Sequence, residues 1–307
     1  DDAADSIETG EKNQSAESER PEPTMSVLQP SYSDNIHYAS DMMVDGSKSC
    51  RSYGYEEHNL GAPAPTTFDE CQGFARGQEV GGQCCWSEPS ATTMNVRGES
   101  YFQDRCRVPS LASVMELEHV DLFSSEGHRV DNLAAREDAF IQRRRAKGDH
   151  RFFLCLHFQA PPHHLACYWS LSSEAEAEWN HPSRALFKRF LDGDDEFRNK
   201  RFKVIPMIQE GPWMVRKVVG QRASLLATKL THTWIKGDNY LEIDCDVYST
   251  AATQWLVGIL KGNASYFTID IGLSVQGEEE AELPEQVLAA VRLSKINLGA
   301  ARSSNWQ

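Results

Sequence analysis

The chain has 307 residues, 40% of them hydrophobic, and a formal net charge of −14. That length and apolar content support a real core in one large or two ordinary domains, whereas the acidic balance excludes sequence-independent nucleic-acid binding, which relies on Lys and Arg neutralising phosphate. No window approaches the roughly 20 apolar residues that span a bilayer, and the opening residues lack a charged-then-apolar signal. A cytoplasmic location is expected, and the initial Asp1 points to an upstream stretch that would carry any targeting information.

Residues 1–85 contain sixteen Asp and Glu against five Lys and Arg. They are rich in Ser, Gly and Pro and show no sustained apolar period, so a largely disordered acidic segment is predicted. Within it, 53–74 and the Cys84-Cys85-Trp86 run are predicted to dock on the folded part. A domain over 86–302 follows. Pro109 and Ser110, with Leu111, Val114, Met115 and Leu117 at helical spacing, predict a short helix. The apolar runs 152–158 and 165–171 flank a Pro-Pro-His-His loop and predict two antiparallel strands. Pro182 and Gly193 bracket a helix of two to three turns.

Further along, 202–208 and 213–220 predict strands joined by a turn at Glu210-Gly211-Pro212, and 227–247 predicts a hairpin turning at 236–239. In its returning strand Leu241, Ile243, Cys245 and Val247 alternate with Glu242, Asp244 and Asp246, which predicts one core face and one wet or groove-lining face. A short helix over 253–260, a strand over 265–275 and a helix beginning at Pro284 with Val287, Leu288 and Val291 complete the series. Tight hairpins and few helices predict an α+β fold built on a mainly antiparallel curved sheet. No glycine-rich phosphate loop follows a strand.

With the elements in order, the chain resembles the C-terminal domain of plant enhanced disease resistance protein 2 and its relatives over residues 86–301. The resemblance is carried by Trp86, VRGESYFQDRCRVPS at 96–110, VDLF at 120–123 and RFLDGDDEFRNKRFKVIP at 189–206. It continues through GPWMVRKVVG at 211–220, KGDNYLEIDCDV at 236–247 and ELPEQVLAAVRLSKI at 282–296. In such relatives the domain ends a longer chain that also holds a pleckstrin-homology domain and a START-type lipid-binding domain, and the phosphoinositide contact belongs to the former. The resemblance therefore implies a regulatory role next to lipid signalling and supplies no catalytic residue.

The candidate chemistry agrees with that implication. Arg97, Arg201, Lys203, Arg216 and Lys217, with Trp213 and Trp234, are predicted to line a basic and aromatic groove for a lipid or anionic headgroup; the competing reading puts Trp213 in the core and the charges on a solvated strand face. Arg143, Arg144, Arg145 and Lys147 read as an exposed helix end. The acids at 192–196 fail as a calcium loop, because counting from Asp192 the sixth and twelfth positions are Phe197 and Lys203; they read instead as a helix stop and the start of the next turn. His157, His163, His164 and Cys167 lack a completing pair for zinc. Cys155 and His157 share a strand face without a third group, and no nucleophile elbow is present. None of the eight cysteines forms a CxxC pair, and without a signal segment reduced, free thiols are expected, with Cys155, Cys167 and Cys245 buried as small apolar residues.

No catalytic residue, metal or cofactor is thus assigned. The expected function is a non-enzymatic, lipid- or membrane-linked regulatory domain, cytoplasmic and peripheral to the membrane. A protein-interaction scaffold with an acidic arm, or an unrecognised hydrolase, are the alternatives.

Overall fold

The computed structural model describes residues 74–77, 84–179, 181–211, 216, 223–250, 254, 258 and 264–306. All belong to one unit, Ala64–Gln307. Two six-stranded sheets and a two-stranded one form its frame. The first sheet contains β1 (Ala75–Arg76), β2 (Cys85–Ser87), β8 (Phe202–Glu210), β9 (Ser224–Leu225), β12 (Thr268–Val275) and β13 (Val287–Ser294), in the order β1-β2-β13-β12-β8-β9. The second contains β5 (Glu116–Ser124), β6 (Phe152–Ala160), β7 (His163–Leu171), β10 (Thr231–Gly237), β11 (Tyr240–Asp246) and β14 (Arg302–Ser303), in the order β10-β11-β6-β7-β5-β14. Strands β3 (Asn95–Arg97) and β4 (Arg107–Pro109) pair only with each other. The pairings β1/β2, β6/β11 and β5/β14 are parallel and the remainder antiparallel. The fold is thus α+β and mainly antiparallel, but the strands divide between two large sheets where one curved sheet was expected.

Local chemistry explains the elements. The hairpin of β10 and β11 turns on Asp238-Asn239, with Asn239 in the left-handed region at φ 57°, a conformation that Asn tolerates better than bulkier residues. Helix α4 (Pro182–Asp192) starts on Pro182, whose missing N–H costs nothing at a first-turn position. It presents Leu186, Phe187 and Phe190 inward and stops at Gly193. A Cβ at Gly193 would meet the Arg189 carbonyl at 2.9 Å, so the close approach to α5 (Asp195–Arg201) needs glycine. Asp194 caps α5 by accepting from Phe197 N at 2.8 Å, the role the acidic run was predicted to play.

The sheets face each other across one apolar layer. Leu117, Leu156, Trp169 and Ile243 from the second sheet meet Phe202, Leu273 and Val291 from the first, with Phe190 of α4 against them. Each such side chain contributes about 1.5–3 kcal/mol through its removal from water. Trp169 Nε1 donates to the Ala290 carbonyl at 2.8 Å, which ties the sheets together through a polar contact as well. The outer face of the second sheet is also covered: Phe123, Leu133, Ile141, Phe153, Tyr168 and Trp306 form a second cluster. Residues 133–135, a 3-10 turn, and α2 (Phe140–Ala146) supply part of that cover. Met94 and Val96 do the same on the first sheet, against Ile205 and Ala290.

Several expectations are corrected. The predicted helix over 111–117 is irregular chain leading into β5, and the helix predicted from Pro284 is β13. Both strands are buried along most of their length, and a strand with two buried faces needs no alternation to distinguish it from a short apolar helix. The wet face predicted for Glu242 and Asp244 is covered, both residues being 0% exposed. Phe74 and Cys85, in the stretches expected to dock, are buried, and β1 pairs with β2. The strand predicted at 213–220 and the helix predicted at 253–260 lie outside the described residues apart from Arg216, Gln254 and Gly258. The predicted acidic segment before Phe74 lies outside them too.

Candidate functional site

The residues predicted to line a basic groove separate into two groups. Arg201 ends α5 and Lys203 lies at the start of β8, and both side chains turn inward. Arg201 donates to Glu282 at 2.8 Å and to the Gln276 carbonyl at 3.1 Å. Lys203, 3% exposed, is bonded to Glu285, which also accepts from Arg97 N at 3.1 Å and Gly277 N at 3.0 Å. Trp234 is core, set edge-on to Phe190 and Phe202 and donating to Asn199. Arg216 is exposed, while Trp213 and Lys217 lie outside the described residues. Arg144 bonds Asp149, and Arg145 reaches the Asp238 carbonyl, so these members of the basic run hold α2 to the β10–β11 turn and its neighbours.

Arg97 links this interior to a surface cluster. Its guanidinium donates to the Gly277 carbonyl and to Gln276 at 2.6 and 2.9 Å, while Nε stays 3.7 Å from Glu285 without a hydrogen bond. Its outer face lies over Tyr101, 4.6 Å from the ring centroid. Tyr101 belongs to α1 (Tyr101–Asp104), the single turn between β3 and β4, none of whose residues is buried. Arg105 closes that turn at φ 61°, assisted by a bond from Cys106 N to Asp104 at 2.6 Å. Arg105 and Arg107 each hold a guanidinium 5.5 Å from the Tyr101 ring, and Phe102 stands edge-on to it. Among the described residues neither Arg105 nor Arg107 has a carboxylate partner. Burial, offset in part by Glu285 and reinforced by repulsion from Arg97 and Arg107, holds Lys203 down at about 8.

The second constellation lies on the outer face of the second sheet. Glu242 and Asp244 alternate along β11, and the parallel register sets Asp244 beside His157 of β6. His157 Nδ1 is 2.8 Å from Asp244, and its Nε2 is 3.1 Å from Nδ1 of His164 on β7. His164 Nε2 faces the Ser125 hydroxyl at 3.0 Å and the His128 carbonyl at 3.1 Å. A carbonyl only accepts, which favours the proton on Nε2 of His164 and leaves Nδ1 to accept from His157. Ser125 donates to the same carbonyl at 2.6 Å. The two Glu242 oxygens accept from Leu133 N and Ala134 N at 2.7 and 2.8 Å, and Asp244 accepts from Asn132 N at 2.9 Å.

This layer has the composition of a reactive or metal-binding site. Ligand atoms of His157, Glu242 and Asp244 lie within 4.8 Å of one another, and Ser125, His164, His157 and Asp244 form a continuous relay. Its bonds, however, run to the backbone of residues 128–134. The carboxyl oxygens satisfy N–H groups that the covering loop would otherwise bury unpaired, a penalty of about 1–3 kcal/mol each. Burial and the neighbouring Asp244 push Glu242 well above the ordinary glutamate range. Burial opposes ionisation of Asp244 as well, but the bond and charge of His157 outweigh it and hold Asp244 down. Burial, then repulsion from His157, lowers His164 to about 4.

The structure thus joins His157 to His164, two of the four residues weighed for zinc, and directs Cys167 to the opposite face, into the core between the sheets. Cys155 shares the face of His157, and burial pushes its thiol far up. Sequence reasoning missed Glu242 and Asp244 as partners. The only available signal was two acids flanking apolar residues in a strand already predicted to have a core face.

Residues 86–297 match the family described as Protein ENHANCED DISEASE RESISTANCE 2, C-terminal. The chain is also similar to Protein ENHANCED DISEASE RESISTANCE 2-like of Arabidopsis thaliana, 32% identical over 219 residues, which cover 71% of this chain and 29% of that relative. The match therefore spans less than a third of the relative's length. No solved structure matches.

Proposed function

From the premise that this chain belongs to the enhanced disease resistance 2 C-terminal family, we propose that it serves as a non-enzymatic regulatory domain working at a membrane or lipid surface. The single observation behind the non-enzymatic half is the use made of the polar layer under residues 125–135. Its serine, histidines and carboxylates hold a loop in place through bonds to backbone groups. A nucleophile needs a hydroxyl presented to substrate beside a base, whereas Ser125 is buried and bonded to a carbonyl.

The membrane half is supported by exposed cations on an otherwise acidic chain: Arg105, Arg107 and Arg216 all face solvent. No helix among the described residues is long and apolar enough to cross a bilayer, so the proposed engagement is peripheral. Disease resistance, which the relative's name mentions, is the setting we extend to this chain.

The test is co-sedimentation of the full chain with phosphatidylcholine vesicles, with or without phosphatidylserine, over a salt series. Pelleting with the anionic vesicles alone, reversed by salt, is the expected result. Replacing Arg216 and Lys217 together by Ala should weaken it. Equal recovery in the supernatant with both vesicle types would remove the membrane half of the reading.

A further inference from the structure

We propose that Arg97, Arg105 and Arg107, gathered around Tyr101 on the β3–α1–β4 tip, form a docking site for the phosphate monoester headgroup of a membrane lipid. This deepens the membrane reading above and rests on it. Three observations carry it.

The first is charge. Lys203 and Arg97 converge on one carboxylate, Glu285, and Arg107 is close enough to oppose the charge on Lys203. Two cations, one buried and one half-buried, thus share a single anion, and the exposed Arg107 stands near them without one. Of the local acids, Asp104 turns its oxygens to Ser100 at 2.6 Å and to Cys106 N, and neither it nor Glu99 makes an ion pair with these arginines among the described residues. A bound dianion would supply the missing counter-charge.

The second is geometry. Guanidinium groups match phosphate oxygens through paired donors, and stacking on an aromatic face pre-orders the side chain. Arg97 is fixed by Gly277 and Gln276, and Arg105 and Arg107 lie against the ring of Tyr101 without being tied to a carboxylate. Their donors are therefore available.

The third is the neighbouring surface. Tyr101 and Phe102 sit half-exposed on the turn, with Arg105, Cys106 and Arg107 exposed beside them. An aromatic pair flanked by arginines suits the headgroup level of a bilayer, where rings enter the interface and long cationic side chains reach phosphate. A free phosphate in water would make no use of the two rings, so the lipid source is favoured.

The experiment uses the full chain, its R105A/R107A double variant and vesicles of phosphatidylcholine doped with either phosphatidic acid or phosphatidylserine. Both replaced side chains are exposed, so the fold should persist; an unchanged thermal midpoint checks this. The wild type should pellet more with phosphatidic acid than with phosphatidylserine, and the double variant should bind phosphatidic-acid vesicles roughly tenfold more weakly. Alkylation of Cys106, followed by mass spectrometry of its peptide, should slow when the wild type meets phosphatidic-acid vesicles. Wild-type and double-variant proteins that pellet equally would overturn this site while leaving the membrane reading intact. A wild type that pellets with no vesicle would overturn both. Slowing of Cys106 alkylation by inorganic phosphate, with no vesicle effect, would assign the arginines to a soluble phosphate and overturn the lipid source.

Discussion

Glu242 holds its proton in the folded chain well past the pH at which a free glutamate, near 4.5, releases it. The unfolded chain binds fewer protons in that range, so stability falls as pH rises above 4.5, by up to about 1.4 kcal/mol per pH unit. Glu242→Gln cannot ionise and should remove this decline, which chemical denaturation across a pH series would detect as a flatter curve. His164 acts in the opposite direction. Its folded value near 4 lies below the free value of 6.5, so the unfolded chain takes up a proton first and stability drops as pH falls from 6.5 to about 4. His164→Gln should abolish that acid loss in the same series. Neither group was legible as buried in the sequence. The loop N–H that Glu242 receives is 109 residues away along the chain, and an acid alternating with apolar neighbours ordinarily faces water.

The starts of α4 and α5 and the hairpin turns were legible, because their signals are local, although similar signals at Pro109 and Pro284 open no helix. Pro182 and Gly193 bound α4, Asp194 caps α5, and the Asp238-Asn239 turn joins β10 to β11. Asp194→Ala should therefore cost about 1 kcal/mol by denaturant titration. Strands β5 and β13 were not legible, since burial on both faces erases the alternation that marks a strand. The long-range ties were also hidden. Glu285, between β12 and β13, joins Lys203 of β8 to the end of β3 across 82 and 188 residues of sequence. Glu285→Ala leaves the Lys203 ammonium buried and uncompensated, which should cost about 3–5 kcal/mol. Adding Lys203→Met to that background should restore part of the loss, because the orphaned charge goes with it. A double variant no more stable than Glu285→Ala would show that the backbone bonds of Glu285, not its ion pair, dominate.

At the scale of the molecule, the sequence revealed an antiparallel α+β fold but not its division into two facing sheets, because pairing between distant strands has no local signature. The C-terminal end illustrates this. β14 adds to β5, and Trp306 packs edge-on against Phe123 while donating to Asp138 at 2.7 Å. Trp306→Ala should lower stability by roughly 3–5 kcal/mol, read as a shifted thermal midpoint. The same wiring fixes when the molecule can form at all. β2, at residues 85–87, waits for β13, at 287–294; β6 waits for β11, and β5 for β14. During translation β5, β7 and β6 can pair with one another early, but β2 lacks β13 and β6 lacks β11 until much later residues have left the ribosome, so those edges emerge bare. A nascent chain stopped short of residue 287 should remain open to protease, and protection should arrive abruptly once the last strands are out.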